Sequence, residues 1–228
     1  MNSFNGSIHH IEPQTKDESV LSREAFGDLG HVPEAAPVAA PKLLGSDLTS
    51  ADFAALEARW IDRGLAERAQ LRRADSLTGA EIIGRKSGNY AGILIPYFHP
   101  GSDHVREYRL RRDQPDLEYD AAGNLKPRQK YLSPPGRSNM LYLAPGVSLA
   151  CLRDLALPII ITEGEFKTLA LWRLAHHRST SRPGFVPLGV SGVYNWRGTI
   201  GKTVGPDGSR LDVKGAIPAL DWIAWDDA

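Results

Sequence analysis

A single cysteine, Cys151, stands in the whole chain of 228 residues. No disulfide can form within it, and no zinc site built on several thiolates is available. So little thiol suits a reducing, intracellular setting. Net charge is lacking too: 27 Lys and Arg balance 27 Asp and Glu, so the overall field draws no polyanion. No apolar run approaches the roughly 18–20 residues that span a bilayer. The start shows no basic segment followed by an apolar stretch, which speaks against a secretory leader. No membrane partner is expected, and the cytoplasm is the expected location.

What remains is ordinary globular chemistry. Hydrophobic residues make up 42% and charged residues 24%, enough to bury a core without covalent staples. The charges are unevenly placed. Residues 106–112 hold four arginines, and residues 126–137 hold two lysines and two arginines. A basic face on a neutral protein is therefore expected.

Residues 1–45 read as a disordered tail, since Pro33, Pro37 and Pro41 punctuate an alanine-rich stretch without apolar periodicity. A small helical segment is expected over 46–85. Thr49 or Ser50 caps its first helix, Phe53, Leu56 and Trp60 form one face, and Gly64 ends it. A shorter helix follows over 66–73.

Residues 86–150 read as a basic β-rich subdomain. YAGILIPYF at 90–98 is a buried strand, and VREYRLRR at 105–112 is a half-exposed strand antiparallel to it. The polar stretch 113–127 reads as a long loop, and extended pieces are expected near Lys130 and over 140–143. From Pro158 the pattern turns to strand, helix, strand over 159–162, 166–176 and 185–190, the composition of a right-handed parallel crossover. The fold class expected is α+β, with this α/β unit occupying 151–228.

IIITEGEFKTLAL at 159–171 carries the chemistry. Glu163 at the carboxyl end of a parallel strand projects toward the crevice where open α/β sheets bind ligands. Gly164 permits a sharp turn and a close approach. From the residues alone, Glu163 reads equally as a metal-holding or proton-moving carboxylate and as an ordinary acid near a helix start. Glu165 reads as a first-turn acid favoured by the helix dipole.

This segment resembles the first motif of Toprim domains, an apolar strand followed by Glu-Gly and a helix. The flanking order is similar to bacterial DnaG-type primases: Ile93-Leu-Ile-Pro-Tyr-Phe, then Tyr108-Arg-Leu-Arg, then Lys130-Tyr-Leu-Ser-Pro, then Leu141-Tyr142. Closer still is a Toprim-like family of replication proteins of plasmids, phages and integrated elements, which Glu163-Gly-Glu-Phe-Lys167 and Gly189-Val-Ser-Gly-Val-Tyr-Asn-Trp resemble. The resemblance implies a primase-like nucleotidyltransferase site with Glu163 as catalytic residue or metal ligand. It implies Arg109, Arg111, Lys130, Tyr131 and Lys167 as contacts to single-stranded DNA or nucleotides, Mg²⁺ in a complete homologue, and a replicative helicase as partner.

Two departures stand out. Lys167 occupies a position where primases carry Asp, although it suits the closer family. The Asp-x-Asp strand that supplies further carboxylates for magnesium is missing, because Asp226 and Asp227 are adjacent and follow no apolar strand. The chain therefore reads as truncated, with no metal expected to bind tightly and little activity alone. A non-catalytic nucleic-acid-binding or adaptor module and a Toprim nuclease fragment are the alternatives.

Two further motifs are decoys. Gly201-Lys-Thr lacks the glycine that a phosphate loop needs five positions earlier, where Trp196 stands. Residues 197–208 read instead as a glycine-rich hairpin or loop. His176-His177 reads as a helix end meeting the dipole rather than a metal pair.

Overall fold

The computed structural model describes residues 44–225. All but the last two residues of the expected tail, and Asp226 and Asp227, lie outside the described residues.

Three short helices with side-chain caps open the fold. Thr49 and Asp52 form a reciprocal capping box at the start of α1 (Ser50–Glu57). Asp62 accepts from the Leu65 amide at 2.7 Å to start α2 (Arg63–Arg68). Strand β1 (Arg72–Ala74) then leads to α3 (Ser76–Ile82), capped by Asp75. The expected helical face is corrected here. The first helix ends at Glu57, Trp60 has φ of 64° and is exposed, and Gly64 lies inside α2. Asp62 supplies a stronger start signal than Gly64 supplies a stop. The piece expected as helix over 66–73 is helical only to Arg68 and ends in a strand.

Next come β2 (Gly92–Phe98) and β3 (Val105–Arg112), antiparallel as the sequence suggested. The stretch expected as a loop instead holds a two-stranded hairpin, β4 (Asp116–Tyr119) with β5 (Leu125–Arg128). Short strands β6 (Tyr131–Leu132) and β7 (Tyr142–Leu143) follow. A four-stranded antiparallel sheet runs β1-β2-β3-β6. Pro96 is tolerated in β2 because β1 has already ended and pairs only as far as Leu94.

The two faces of β2 serve different cores. Ile93, Ile95 and Tyr97 enter the main apolar cluster, while Leu94 joins Ala74, Ile83, Tyr108 and Leu110 in a smaller one. Tyr108 and Leu110 of β3 share that second face, so the intervening Arg109 and Arg111 face the main cluster, opposite Ile95 and Ile93.

After α4 (Leu149–Leu152) comes the expected crossover: β8 (Ile159–Glu163), α5 (Glu165–Ala175) and β9 (Val186–Val190), with β8 and β9 parallel. The sheet order is β7-β9-β8, with β7 antiparallel to β9. Phe166, Leu169, Trp172 and Ala175 form the buried stripe of α5. Gly189 of β9 lets the helix sit close, since a Cβ there would lie 2.5 Å from Thr168 Oγ1. The isoleucine run of β8 is less covered than its composition suggests: Ile160 and Ile161 are 39% and 47% exposed. β8 is an edge strand with β9 as its one partner among the described residues.

The glycine-rich segment forms a hairpin of β10 (Arg197–Val204) and β11 (Arg210–Ala216), and a 3-10 turn at Pro218–Trp222 follows. Lys202 therefore sits in a strand, paired to Asp212 at 2.9 Å, which excludes a phosphate loop. His176 caps α5 and stacks edge-on against Trp172. Helices and antiparallel sheets together make the fold α+β. Among the described residues no helix is long and apolar enough to cross a membrane.

Candidate functional site

Glu163 ends β8 beside Val190 of the parallel neighbour. Gly164 follows at φ 91° and ψ 151°, a region that is essentially glycine's alone. Its N–H donates to the Val190 carbonyl at 2.8 Å, which fixes the turn. Nothing lies within 4 Å of where a Cβ on Gly164 would project, so the turn faces open space. Glu163 is half-exposed, with Lys167 Nζ 4.0 Å away one helical turn on. Both groups meet water, so this pair contributes little.

Glu165 departs most from expectation. It is 1% exposed rather than a solvated first-turn acid. Its Oε1 accepts from the Tyr97 hydroxyl at 2.5 Å and from Arg109 Nη1 at 2.5 Å. Arg109 Nη2 donates to the Ser191 carbonyl at 3.0 Å. Desolvating a carboxylate is costly, and the nearby guanidinium and hydroxyl offset that cost. Burial first, and then the Glu165 charge, push the Tyr97 hydroxyl well above its ordinary ionisation range. Burial, the largest single effect, works against the Arg109 charge, but Glu165 and Tyr97 together outweigh it and the pKa rises.

Arg109, expected to hold phosphate, thus has two of its nitrogens engaged by the protein. It joins β3 to the start of α5 and to the end of β9. Its guanidinium also stands 5.1 Å from the Tyr131 ring centroid.

The neighbouring cations differ. Arg111 lies opposite Tyr131 across the β3–β6 pair and holds its guanidinium 5.3 Å from the Phe166 ring, at the start of α5. Lys130 sits just before β6, its carbonyl accepting from the Arg112 amide at 2.9 Å. Burial, and then the charges of Arg111 and Arg59, hold the Lys130 ammonium below its ordinary range. Burial likewise raises the Tyr131 hydroxyl, against the opposing Arg111 charge. Among the described residues, Arg59, Arg111 and Lys130 form no ion pair with a carboxylate. The Lys130 ammonium thus lies in the field of two guanidinium groups, and none of the three cations has a carboxylate partner among the described residues, a charge pattern that complements phosphate oxygens.

The chain matches no family model, no curated protein and no solved structure.

The described residues do not assemble a magnesium set. No group of three or more His, Cys, Asp or Glu side chains among them is placed to hold a metal. Glu163 has a lysine beside it, and Glu165 is turned inward onto Arg109. Of the expected site residues, the fold brings Arg109, Arg111 and Tyr131 together around the start of α5, with Lys130 adjoining. Lys167 stays on the exposed side with Glu163. Tyr97, Glu165 and Arg59 were missed. Tyr97 and Arg109 share one face by strand alternation, so that pairing was readable. Arg59 carries no sequence signal, because it lies in the irregular turn after α1.

Proposed function

We propose that this chain is the phosphate-gripping part of a Toprim- and primase-like DNA replication protein of mobile-element type. Its ligand is single-stranded DNA or nucleotides. The observation that carries this reading is the pair of Arg111 and Lys130, without carboxylate partners among the described residues and set beside Tyr131, with Arg111 over the Phe166 ring in the first turn of α5. Guanidinium and ammonium groups hold phosphate oxygens, and a tyrosine ring accepts an unpaired base.

The crossover supports the same reading. A carboxylate ends a parallel strand, a glycine turn opens to solvent, and a helix begins with no side-chain cap on its amides. The outer edge of β8, with Ile160 and Ile161 exposed, suits a sheet that takes a further strand there. By the resemblance, Glu163 serves as acid, base or metal ligand in a complete site. A cytoplasmic location and a replicative helicase partner follow from the resemblance as well.

A second reading is a non-catalytic nucleic-acid-binding or adaptor module. It is favoured by Glu163 standing beside Lys167 with no companion carboxylate among the described residues. Both readings require the phosphate grip. Titration of a fluorescein-labelled thymidine 20-mer should show binding that weakens with salt. The pair Arg111→Glu and Lys130→Glu should reduce affinity at least tenfold and flatten the salt dependence. A wild-type protein that binds no oligonucleotide at low salt contradicts both readings.

A further inference from the structure

A second surface, independent of the Arg111–Lys130 group, has its own chemistry. Among the described residues the β10–β11 hairpin pairs only within itself, and nearly every residue along it is exposed. Between this hairpin and the loop at 136–139 lies a groove of about 910 Å³. The Asn139 amide donates to the Arg197 carbonyl at 3.2 Å and fastens the loop to the foot of the hairpin. The groove is therefore bounded on two sides.

Its lining is cationic. Arg137, Arg197, Lys202 and Lys214 line it, against the single carboxylate of Asp212. Asp212 is shared by Lys202 at 2.9 Å and Lys214 at 3.0 Å, so one anion faces two ammonium groups. Hydrogen bonds from Lys202, Lys214 and Thr199 hold its carboxyl far below the usual range. Arg137 reaches only Glu107, at 3.8 Å, and Arg197 meets no carboxylate among the described residues. Its guanidinium lies 5.4 Å from the Trp196 ring.

Aromatic surface accompanies the charge. Tyr194, in the groove wall, is 82% exposed, and Trp196, which precedes the wall residue Arg197, is 43% exposed. Large rings standing in water beside cations suit a partner with both flat apolar faces and negative charge. The break in register between Thr199 and Gly201 leaves Ile200 unpaired and 54% exposed in the same wall.

We propose that this groove binds single-stranded nucleic acid, with bases stacking on Tyr194 and Trp196 and phosphates on Arg197, Arg137 and the two lysines. An acidic peptide would satisfy the cations but would leave the rings without flat partners. Duplex DNA presents no unstacked base to them.

The test titrates the full chain with a labelled thymidine 20-mer, comparing wild type, Tyr194→Ala with Arg197→Glu, and Arg111→Glu with Lys130→Glu. Far-ultraviolet dichroism and urea midpoints check that each variant folds. The hairpin pair should weaken binding about tenfold, and Tyr194→Ala alone should do so with little change in salt slope. Unlabelled poly-glutamate should compete poorly. If the hairpin pair binds as wild type, the groove proposal falls whatever the other pair does. If the hairpin pair weakens binding and the Arg111–Lys130 pair does not, the groove stands and the phosphate grip at Arg111 and Lys130 falls. Equal competition by poly-glutamate overturns the proposal in favour of a general cationic surface, and so does absence of binding by wild type.

Discussion

The Glu165 carboxylate and the Arg109 guanidinium meet at 2.5 Å in a site where the acid is almost wholly buried. The contact joins two parts of the fold, the antiparallel sheet that carries Arg109 and the helix that follows the Glu163–Gly164 turn. The pair therefore sets where the first turn of α5 lies relative to Arg111 and Tyr131.

Breaking this pair from one side should be costly. Glu165→Ala or Arg109→Ala should each lower stability by about 3–5 kcal/mol, because each strands a buried charge. Replacing both together, as Arg109→Met with Glu165→Leu, should cost much less than either alone. Urea denaturation of the three variants measures this. A double variant no better than the singles would show that the ion pair itself supports the fold.

Ionisation of the buried Tyr97 and Tyr142 should be delayed by the fold. Burial raises Tyr97 and Tyr142 above the ordinary value of 10.0, with the Glu165 charge adding to both. A raised folded-state value contributes stability that is fully present below pH 10 and is lost as pH climbs toward the folded value. An alkaline titration followed by tyrosinate absorbance, with far-ultraviolet dichroism read in parallel, measures this. Tyr97 and Tyr142 should ionise only as the dichroism of the folded chain is lost. Replacing Tyr97 by Phe should remove part of the late step.

Gly164 should resist substitution for a backbone reason and Gly189 for a packing reason. At φ 91° an alanine is strained although its methyl has open space, and the expected cost is about 1–3 kcal/mol. At Gly189 the backbone imposes no such strain, but a methyl would meet Thr168 Oγ1 at 2.5 Å and Tyr142 Cβ at 3.0 Å. Thr168→Ala should therefore rescue Gly189→Ala in part, the Tyr142 contact remaining, and leave Gly164→Ala unimproved. Thermal denaturation of the four variants reads the difference.

Much of this arrangement was legible in local pattern. β2, β3 and the β8-α5-β9 crossover follow from apolar runs, alternation and the Glu-Gly turn. The β4–β5 hairpin was not legible, because β5 is exposed throughout and β4 nearly so, leaving no apolar period to read. Three isoleucines in β8 suggest an interior strand, but the neighbours a strand has are decided by the whole fold. Glu165 was misread for a related reason. Its place in the first turn suits the helix dipole, and only the distant β2–β3 pair brings Tyr97 and Arg109 onto it. The cation group was half visible: Arg111 and Lys130 stood out, whereas Arg59 comes from a turn without pattern.

On the proposed reading, in which Glu163 is half of a site completed elsewhere, catalysis by this chain alone should be negligible. With magnesium, nucleotides and a single-stranded template, the purified protein should make no primer above background, since Glu163 lacks carboxylate companions among the described residues. Robust synthesis abolished by Glu163→Gln would reverse that expectation.

The most direct test of the phosphate grip is to find where the nucleic acid lies. An oligonucleotide carrying photoreactive 5-iodouracil, bound and irradiated, should form an adduct on Tyr131 that mass spectrometry of the digested protein locates. That adduct should disappear in Arg111→Glu with Lys130→Glu, while the fold is retained. Adducts confined to other segments, or an unchanged Tyr131 adduct in that variant, would contradict the assignment of these residues to the nucleic-acid site.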